Sequence, residues 1–108
     1  MLQLDIQQTP AETILKLSGA FDTRELTQLD TRIGALVSTF RPLVVADLSQ
    51  LRSLTSIGIK AFIRLERKLT ICGRQFVIRS APPHILRVFE YCGLDIYFSF
   101  EGTGGRMA

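Results

Sequence analysis

The chain opens with two short stretches in which apolar and polar residues alternate. Leucine or isoleucine occupies positions 2, 4 and 6 within Leu2 to Gln7, and a second alternating stretch covers Glu12 to Ser18. A period of two predicts strands with one buried and one exposed face. Because only a short break at Thr9-Pro10-Ala11 separates them, we predict a hairpin or a pair of neighbouring strands.

The rest of the chain alternates between helical spacing and short apolar runs. Asp22 followed by Glu25 has the spacing of a capping box and predicts a helix start. The predicted elements are a helix from about Thr23 to Thr39, a buried strand from Leu43 to Leu48 that ends in a polar loop after Asp47, a helix from Ser56 that stops at Gly73, a strand from Gln75 to Arg79, a helix that opens at Pro82-Pro83 and closes at Gly93, and a strand from Asp95 to Phe100.

This order, β-β-α-β-α-β-α-β, predicts an α/β fold in which helices pack on a mixed β-sheet. The inward stripes of the last two helices are predicted to be Ile59, Phe62, Ile63 and Leu69, and Ile85, Val88, Phe89 and Cys92. Cys72 and Cys92 form neither a CxxC motif nor a metal-ligand spacing. We therefore predict that both cysteines are reduced and buried as small apolar residues.

Composition limits the class of protein. A chain of 108 residues that is 46% hydrophobic and 21% charged is typical of one globular domain. We assign residues 1–100 to that domain and residues 101–108 to a flexible C-terminal tail. No apolar run approaches the roughly 20 residues that span a bilayer, and the N-terminus lacks the pattern of a signal peptide. We expect a cytoplasmic protein without a membrane span.

Charge and motif content argue against several functions. The net charge of +3 is mild, and Glu66 lies among Arg64, Arg67 and Lys68, so a solvated helix face is favoured over a nucleic-acid patch. The single histidine, His84, completes neither a catalytic Ser/His/Asp arrangement nor a metal site, and we expect it on a helix surface. A phosphate-binding GxxxxGK[ST] loop is absent. We expect no enzymatic activity, no cofactor and no metal.

The segment from Val44 to Ile59 carries the most information. It runs from an apolar strand through a polar loop to Ser56 at the predicted start of a helix. One interpretation makes Ser56 a helix N-cap, with no function beyond stabilising the helix. The other makes it a phosphate acceptor, because a helix N-terminus tolerates negative charge. Ile59 is predicted to be core, whereas Ile57 could be core or an exposed contact.

Three segments of the chain resemble the STAS domain, the fold of bacterial anti-sigma factor antagonists. They are Leu17 to Asp22, which precedes the first helix; Val44 to Ile59; and Ser80 to Leu94, with its prolines, apolar helix and Gly93-Leu94. The resemblance implies that Ser56 is the phosphoacceptor. Two positions depart from the family pattern: Thr55 replaces an acidic residue and Ile57 replaces a second hydroxyl residue.

The resemblance also implies a function. The domain would dock on an anti-sigma factor, often also a serine kinase, through Asp22, Thr55, Ser56, Ile57 and Gly58, and phosphorylation of Ser56 would weaken that contact. An alternative is a non-phosphorylated STAS scaffold or a soluble accessory subunit of a signalling or transport complex. Binding of a small ligand or an enzymatic activity is a third possibility. The sequence predicts neither the partner's identity nor the oligomeric state.

Overall fold

The strands of the sheet lie side by side in the order in which they occur in the chain. A computed structural model describes residues 2–21 and 25–102. Its elements are β1 (Leu2–Gln8), β2 (Thr13–Phe21), α1 (Glu25–Leu36) with a 3-10 turn at Val37–Thr39, β3 (Leu43–Leu54), α2 (Ser56–Ile71), β4 (Gln75–Arg79), α3 (Pro83–Tyr91) and β5 (Ser99–Glu101). The predicted β-β-α-β-α-β-α-β order is confirmed.

The sheet is mixed, as predicted. β1 pairs antiparallel with β2, and β2, β3, β4 and β5 pair in parallel in the order β1-β2-β3-β4-β5. A helix joins each pair of parallel neighbours, and crossovers of one hand place such helices on the same face of the sheet. One core lies between that face and the helices; its fully buried sheet residues include Leu15, Leu17, Val44, Ala46, Leu48 and Ile78.

Phe89 on α3 lies at the centre of a group of aromatic rings in this core. Its ring centroid is 5.7 Å from that of Phe62 on α2, 5.5 Å from Phe98 and 5.3 Å from Phe100 on β5. The last two contacts are edge-on, an arrangement that aromatic quadrupoles favour. Phe89 and Phe62 are fully buried. This cluster therefore connects both helices to the last strand.

β3 is longer than predicted, and the polar loop expected after Asp47 is strand. The pairing with β2 shifts register twice, between Lys16 and Ser18 and between Gly19 and Ala20, and each shift places one extra residue in β3. At the first of these bulges, a carboxylate oxygen of Asp47 accepts a hydrogen bond from the Ser49 N–H at 2.9 Å. The bulges change the burial period, so that beyond Asp47 the buried residues of β3 are Leu48, Leu51 and Leu54. Apolar residues at every third position do not match the period of two that predicts a strand from the sequence.

The segment that follows α3 also differs from its prediction. Residues 95–97 form a turn, in which the Tyr97 and Phe98 N–H groups donate to the Leu94 carbonyl. β5 therefore begins at Ser99 instead of Asp95. It ends at Glu101, a residue assigned to the tail, whose carbonyl accepts a hydrogen bond from the Ser80 N–H at 2.9 Å. The tail residues 103–108 lie outside the described part of the chain.

The prediction of buried cysteines is wrong. Cys72 and Cys92 are free thiols, as predicted, but both are exposed. Each is the C-cap residue of its helix and precedes a glycine with positive φ, Gly73 at 76° and Gly93 at 71°. The chain leaves the helix axis there, so the apolar stripe of α3 ends before Cys92. The predicted helix stops at both glycines are confirmed.

The opposite face of the sheet carries alternating charges. Asp5, Lys16, Asp47, Arg79 and Glu101 are paired in register from β1 to β5. The Arg79 guanidinium also donates two 3.0 Å hydrogen bonds to the carboxylate of Glu12, which precedes β2. These bonds lower the pKa of Glu12 and raise that of Arg79. Opposite charges directly across strands favour this register.

Among the described residues, none of the helices is long and apolar enough to cross a membrane.

Candidate functional site

The start of α2 lies directly after the longest strand of the sheet. β3 ends at Leu54, which is 7% exposed, and α2 begins two residues later at Ser56. The buried leucine anchors the chain in the core, so the next residues emerge at the end of the sheet where β3 terminates. Ser56 is exposed in the first turn of α2. The predicted position of this helix start is confirmed.

Thr55, not Ser56, is the N-cap of α2. Its backbone is extended, with φ of −95° and ψ of 169°, and its hydroxyl oxygen accepts a hydrogen bond from the Gly58 N–H at 3.2 Å. Its carbonyl accepts the first helical bond, from the Ile59 N–H at 3.0 Å. The interpretation of Ser56 as a capping residue is therefore wrong. The cap does not require the Ser56 hydroxyl, which is one residue further along the helix.

Loss of the Thr55 cap should destabilise the protein more than loss of the Ser56 hydroxyl. Thr55→Ala should lower the free energy of unfolding by about 1 kcal/mol, because it removes the capping acceptor. Ser56→Ala, the matched loss of a hydroxyl one residue away, should change it by less than about 0.5 kcal/mol. Urea denaturation followed by circular dichroism measures both values. A larger effect for Ser56→Ala than for Thr55→Ala would contradict the assignment.

The surroundings of Ser56 favour negative charge. The N–H groups in the first turn of a helix point outward without helical partners and carry a partial positive charge. The first turn of α2, residues 56–59, contains no acidic side chain. Lys60 follows one turn after Ser56, and Arg52 precedes it on β3; both are exposed. A phosphate or a partner carboxylate would meet favourable potential at this position.

The three residues after Ser56 differ in exposure. Ile57 is 38% exposed, Gly58 is buried and Ile59 is 3% exposed. Ile57 therefore presents an exposed apolar side chain beside the serine, and Ile59 is core, as predicted. Gly58 faces the interior, so its part in the site is the N–H bond to Thr55 and not a surface that a partner could approach.

The end of β2 lies beside this helix start. Phe21, the last residue of β2, is the pairing partner of Leu54, and Ala20 is the partner of Ser53. Asp22, the other residue predicted for the partner-binding face, lies outside the described residues.

His84 lies at the same end of the sheet as the start of α2, although the sequence predicted only a position on a helix surface. Its Nε2 atom lies 2.8 Å from the carbonyl oxygen of Arg52, four residues before Ser56. Because a carbonyl oxygen can only accept, that ring nitrogen carries the proton. The contact ties the first turn of α3 to the end of β3. The helices that follow parallel neighbouring strands such as β3 and β4 begin at the same end of the sheet. This rule could have predicted that His84, in the first turn of α3, lies near the end of β3.

The comparisons with known proteins agree on one family. The family model described as "Mlab, STAS domain" matches residues 4–100. BtrV of Bordetella bronchiseptica, provisionally named an anti-sigma factor antagonist, is 25% identical over 92 residues, which cover 85% of this chain and 79% of BtrV.

Solved structures give the same answer for the fold. An anti-sigma factor antagonist from Mycobacterium paratuberculosis superposes with a TM-score of 0.78 at 28% identity, over 96% of this chain and 88% of that one. The antagonist SpoIIAA matches in its unphosphorylated form with a TM-score of 0.75 at 18% identity, over 93% of this chain and 87% of that one. Its phosphorylated form, from Bacillus, matches with 0.69 at 16% identity, over 91% and 90%.

Proposed function

Because this chain belongs to the STAS domain family, we propose that it is a protein-interaction switch whose docking site is centred on Ser56. The partner is an anti-sigma factor or a serine-kinase-like protein, and phosphorylation of Ser56 controls the contact. The observation that carries the proposal is the exposed serine in the first turn of α2, with its helix already capped by Thr55. SpoIIAA, which shares the fold, exists in unphosphorylated and phosphorylated forms.

Ser56 can be modified without damage to the fold. A phosphate adds roughly −1.5 to −2 charges at neutral pH. The N-terminus of α2 stabilises such a charge by about 0.3–1 kcal/mol, and Lys60 follows one helical turn later on an exposed position. The fold should therefore tolerate the phosphate. A partner surface that packs against Ile57 and the serine hydroxyl would have to accept a doubly charged group, and binding should weaken.

A second candidate function is a docking module that is never phosphorylated, either a scaffold or an accessory subunit of a signalling or transport complex. The exposed Ile57 supports it, because an apolar side chain beside Ser56 suits a permanent contact. In both cases we propose a cytoplasmic protein that acts by binding, without enzymatic activity or a cofactor.

Phosphorylation in vitro separates the two functions. Incubation with ATP and the serine-kinase-like protein of the same organism should add the mass of one phosphate to the wild type and none to Ser56→Ala. Thr55→Ala, which keeps Ser56, should still gain one phosphate. Intact-mass spectrometry with fragment mapping gives the result. An unmodified wild type would support the scaffold, and a phosphate on Thr55 would contradict the assignment of Ser56.

A further inference from the structure

The second helix carries the entire net charge of the chain. α2 contains four basic residues and one acidic residue, a formal charge of +3, which equals the formal net charge of all 108 residues. The nine basic residues elsewhere in the sequence are balanced by nine acidic ones. The net positive charge of the sequence is therefore concentrated on one helix.

These cations share one face of α2. At 3.6 residues per turn, six residues fall within an arc of about 100°; we call them the basic stripe: Ile57, Lys60, Arg64, Arg67, Lys68 and Ile71. The buried residues of the helix, among them Phe62 and Leu69, lie on the other side. Glu66 is outside the stripe, and its carboxylate accepts hydrogen bonds from Thr70 and from Tyr97 on the far flank, both at 2.9 Å.

Both ends of the basic stripe are apolar. Ile57 is 38% exposed at the N-terminal end and Ile71 is 85% exposed at the C-terminal end. They are separated by about 21 Å along the helix axis. Ile71 borders a hollow of about 390 Å³ that is lined by Arg64, Arg67, Lys68, Ile71 and Cys72. The surface thus offers two exposed apolar side chains with a row of cations between them; Lys60, Arg64 and Arg67 are exposed, and Lys68 is half-buried beside Gly34 on α1.

We propose that the basic stripe extends the Ser56 docking site and binds an acidic segment of the partner protein, with carboxylates along its middle and apolar residues near its ends. This inference rests on the proposed function, because Ile57 belongs to both surfaces. The stripe has cations without aromatic side chains for stacking bases. The main apolar face of α2 is buried in the core, so the basic stripe itself offers a lipid surface no apolar side chains other than Ile57 and Ile71. An acidic protein segment matches both the charge and the spaced apolar contacts.

The stripe also gives the phosphate a second effect. Ser56 is four residues before Lys60, the spacing at which side chains of a helix meet. A phosphate on Ser56 would therefore pair with the first cation of the stripe. It would compete with the partner's carboxylates for that cation, in addition to repelling them.

Three probes of different chemistry test the inference without knowledge of the partner. The first is a synthetic helical peptide of about 18 residues, long enough to cover the stripe, with glutamates at helical spacing and leucines at both ends. The others are a short DNA duplex and vesicles of phosphatidylcholine with phosphatidylglycerol. Each is titrated into the ¹⁵N-labelled protein, and amide shifts are followed by NMR. Arg67→Glu is compared with Arg87→Glu, the same charge change at an exposed position of α3, outside the basic stripe.

We expect the peptide to shift amides of the basic stripe and to bind more tightly than the DNA duplex or the vesicles. Arg67→Glu should weaken peptide binding by about fivefold or more, and Arg87→Glu by less than about twofold. Tighter binding of DNA or vesicles, equal losses in the two variants, peptide shifts elsewhere, or an absence of peptide binding would each overturn the inference. None of these results bears on phosphorylation of Ser56, so failure of the stripe and failure of the proposed function are distinguishable.

Discussion

Ser56→Asp is expected to weaken binding of the anti-sigma or kinase-like partner by about 100-fold, which corresponds to about 2.7 kcal/mol. The substitution places a negative charge at the centre of the proposed docking site, where the partner must approach closely, and a like or desolvated charge at an interface costs several kcal/mol. Ser56→Ala should bind within about threefold of wild type, because it adds no charge. Isothermal titration calorimetry with the purified partner provides the three constants.

A matched control separates the site from the charge. Ser99→Asp adds the same charge at an exposed position on β5, away from the helix start, and should leave binding unchanged. If Ser99→Asp weakens binding as much as Ser56→Asp does, the effect belongs to net charge. If Ser56→Asp binds like wild type, Ser56 is not in the interface.

Phe89→Ala should lower the free energy of unfolding by about 3–5 kcal/mol. The substitution removes a fully buried ring whose contacts with other rings connect α2, α3 and β5, and the surrounding rings of Phe62, Phe98 and Phe100 cannot close the space fully. Tyr91→Ala is the control on the same helix, because Tyr91 is 92% exposed. It should change stability by less than about 0.5 kcal/mol.

Urea denaturation of both variants gives this comparison. Similar small effects for Phe89→Ala and Tyr91→Ala would show that α3 does not contribute a ring to the core. If Phe89→Ala does not fold, Phe89→Leu keeps an apolar side chain and should show a smaller loss in the same direction.

Local patterns were sufficient for the order of elements and for the helix start at Ser56. Period two in β1 and β2, and helical spacing closed by Gly73 and Gly93, reflect backbone geometry that each segment imposes on itself. The resemblance of three segments to the STAS family then indicated Ser56, whose exposure in the first turn of α2 is visible in the structure.

Features that depend on pairing between distant segments could not be predicted. The bulges in β3 exist because β2 supplies fewer residues to the pairing than β3 does, and they turn Leu48, Leu51 and Leu54 toward one core with a spacing of three. The contact of His84 with the Arg52 carbonyl requires that β3 and β4 are neighbours. Neither the register of β2 against β3 nor the adjacency of β3 and β4 can be inferred from a short segment of the sequence.

In the candidate site, too, some features followed from the local sequence and others required the three-dimensional structure. A hydroxyl residue at a helix start predicts a cap, but two adjacent hydroxyls leave the choice between Thr55 and Ser56 open until the backbone angles are known. Similarly, the basic residues of α2 looked diluted by Glu66 in the linear sequence. Only the direction of each side chain around the helix shows that the basic residues form one stripe and that Glu66 lies outside it.

Phosphate on Ser56 is expected to act on the interface with the partner and not on the fold. The most direct test measures partner affinity and thermal unfolding on the same two samples, the unphosphorylated protein and the protein phosphorylated at Ser56. We predict that the dissociation constant rises by about 100-fold or more while the unfolding midpoint stays within a few degrees. Equal affinity of the two forms, or a loss of affinity that accompanies a large fall of the midpoint, would contradict the claim.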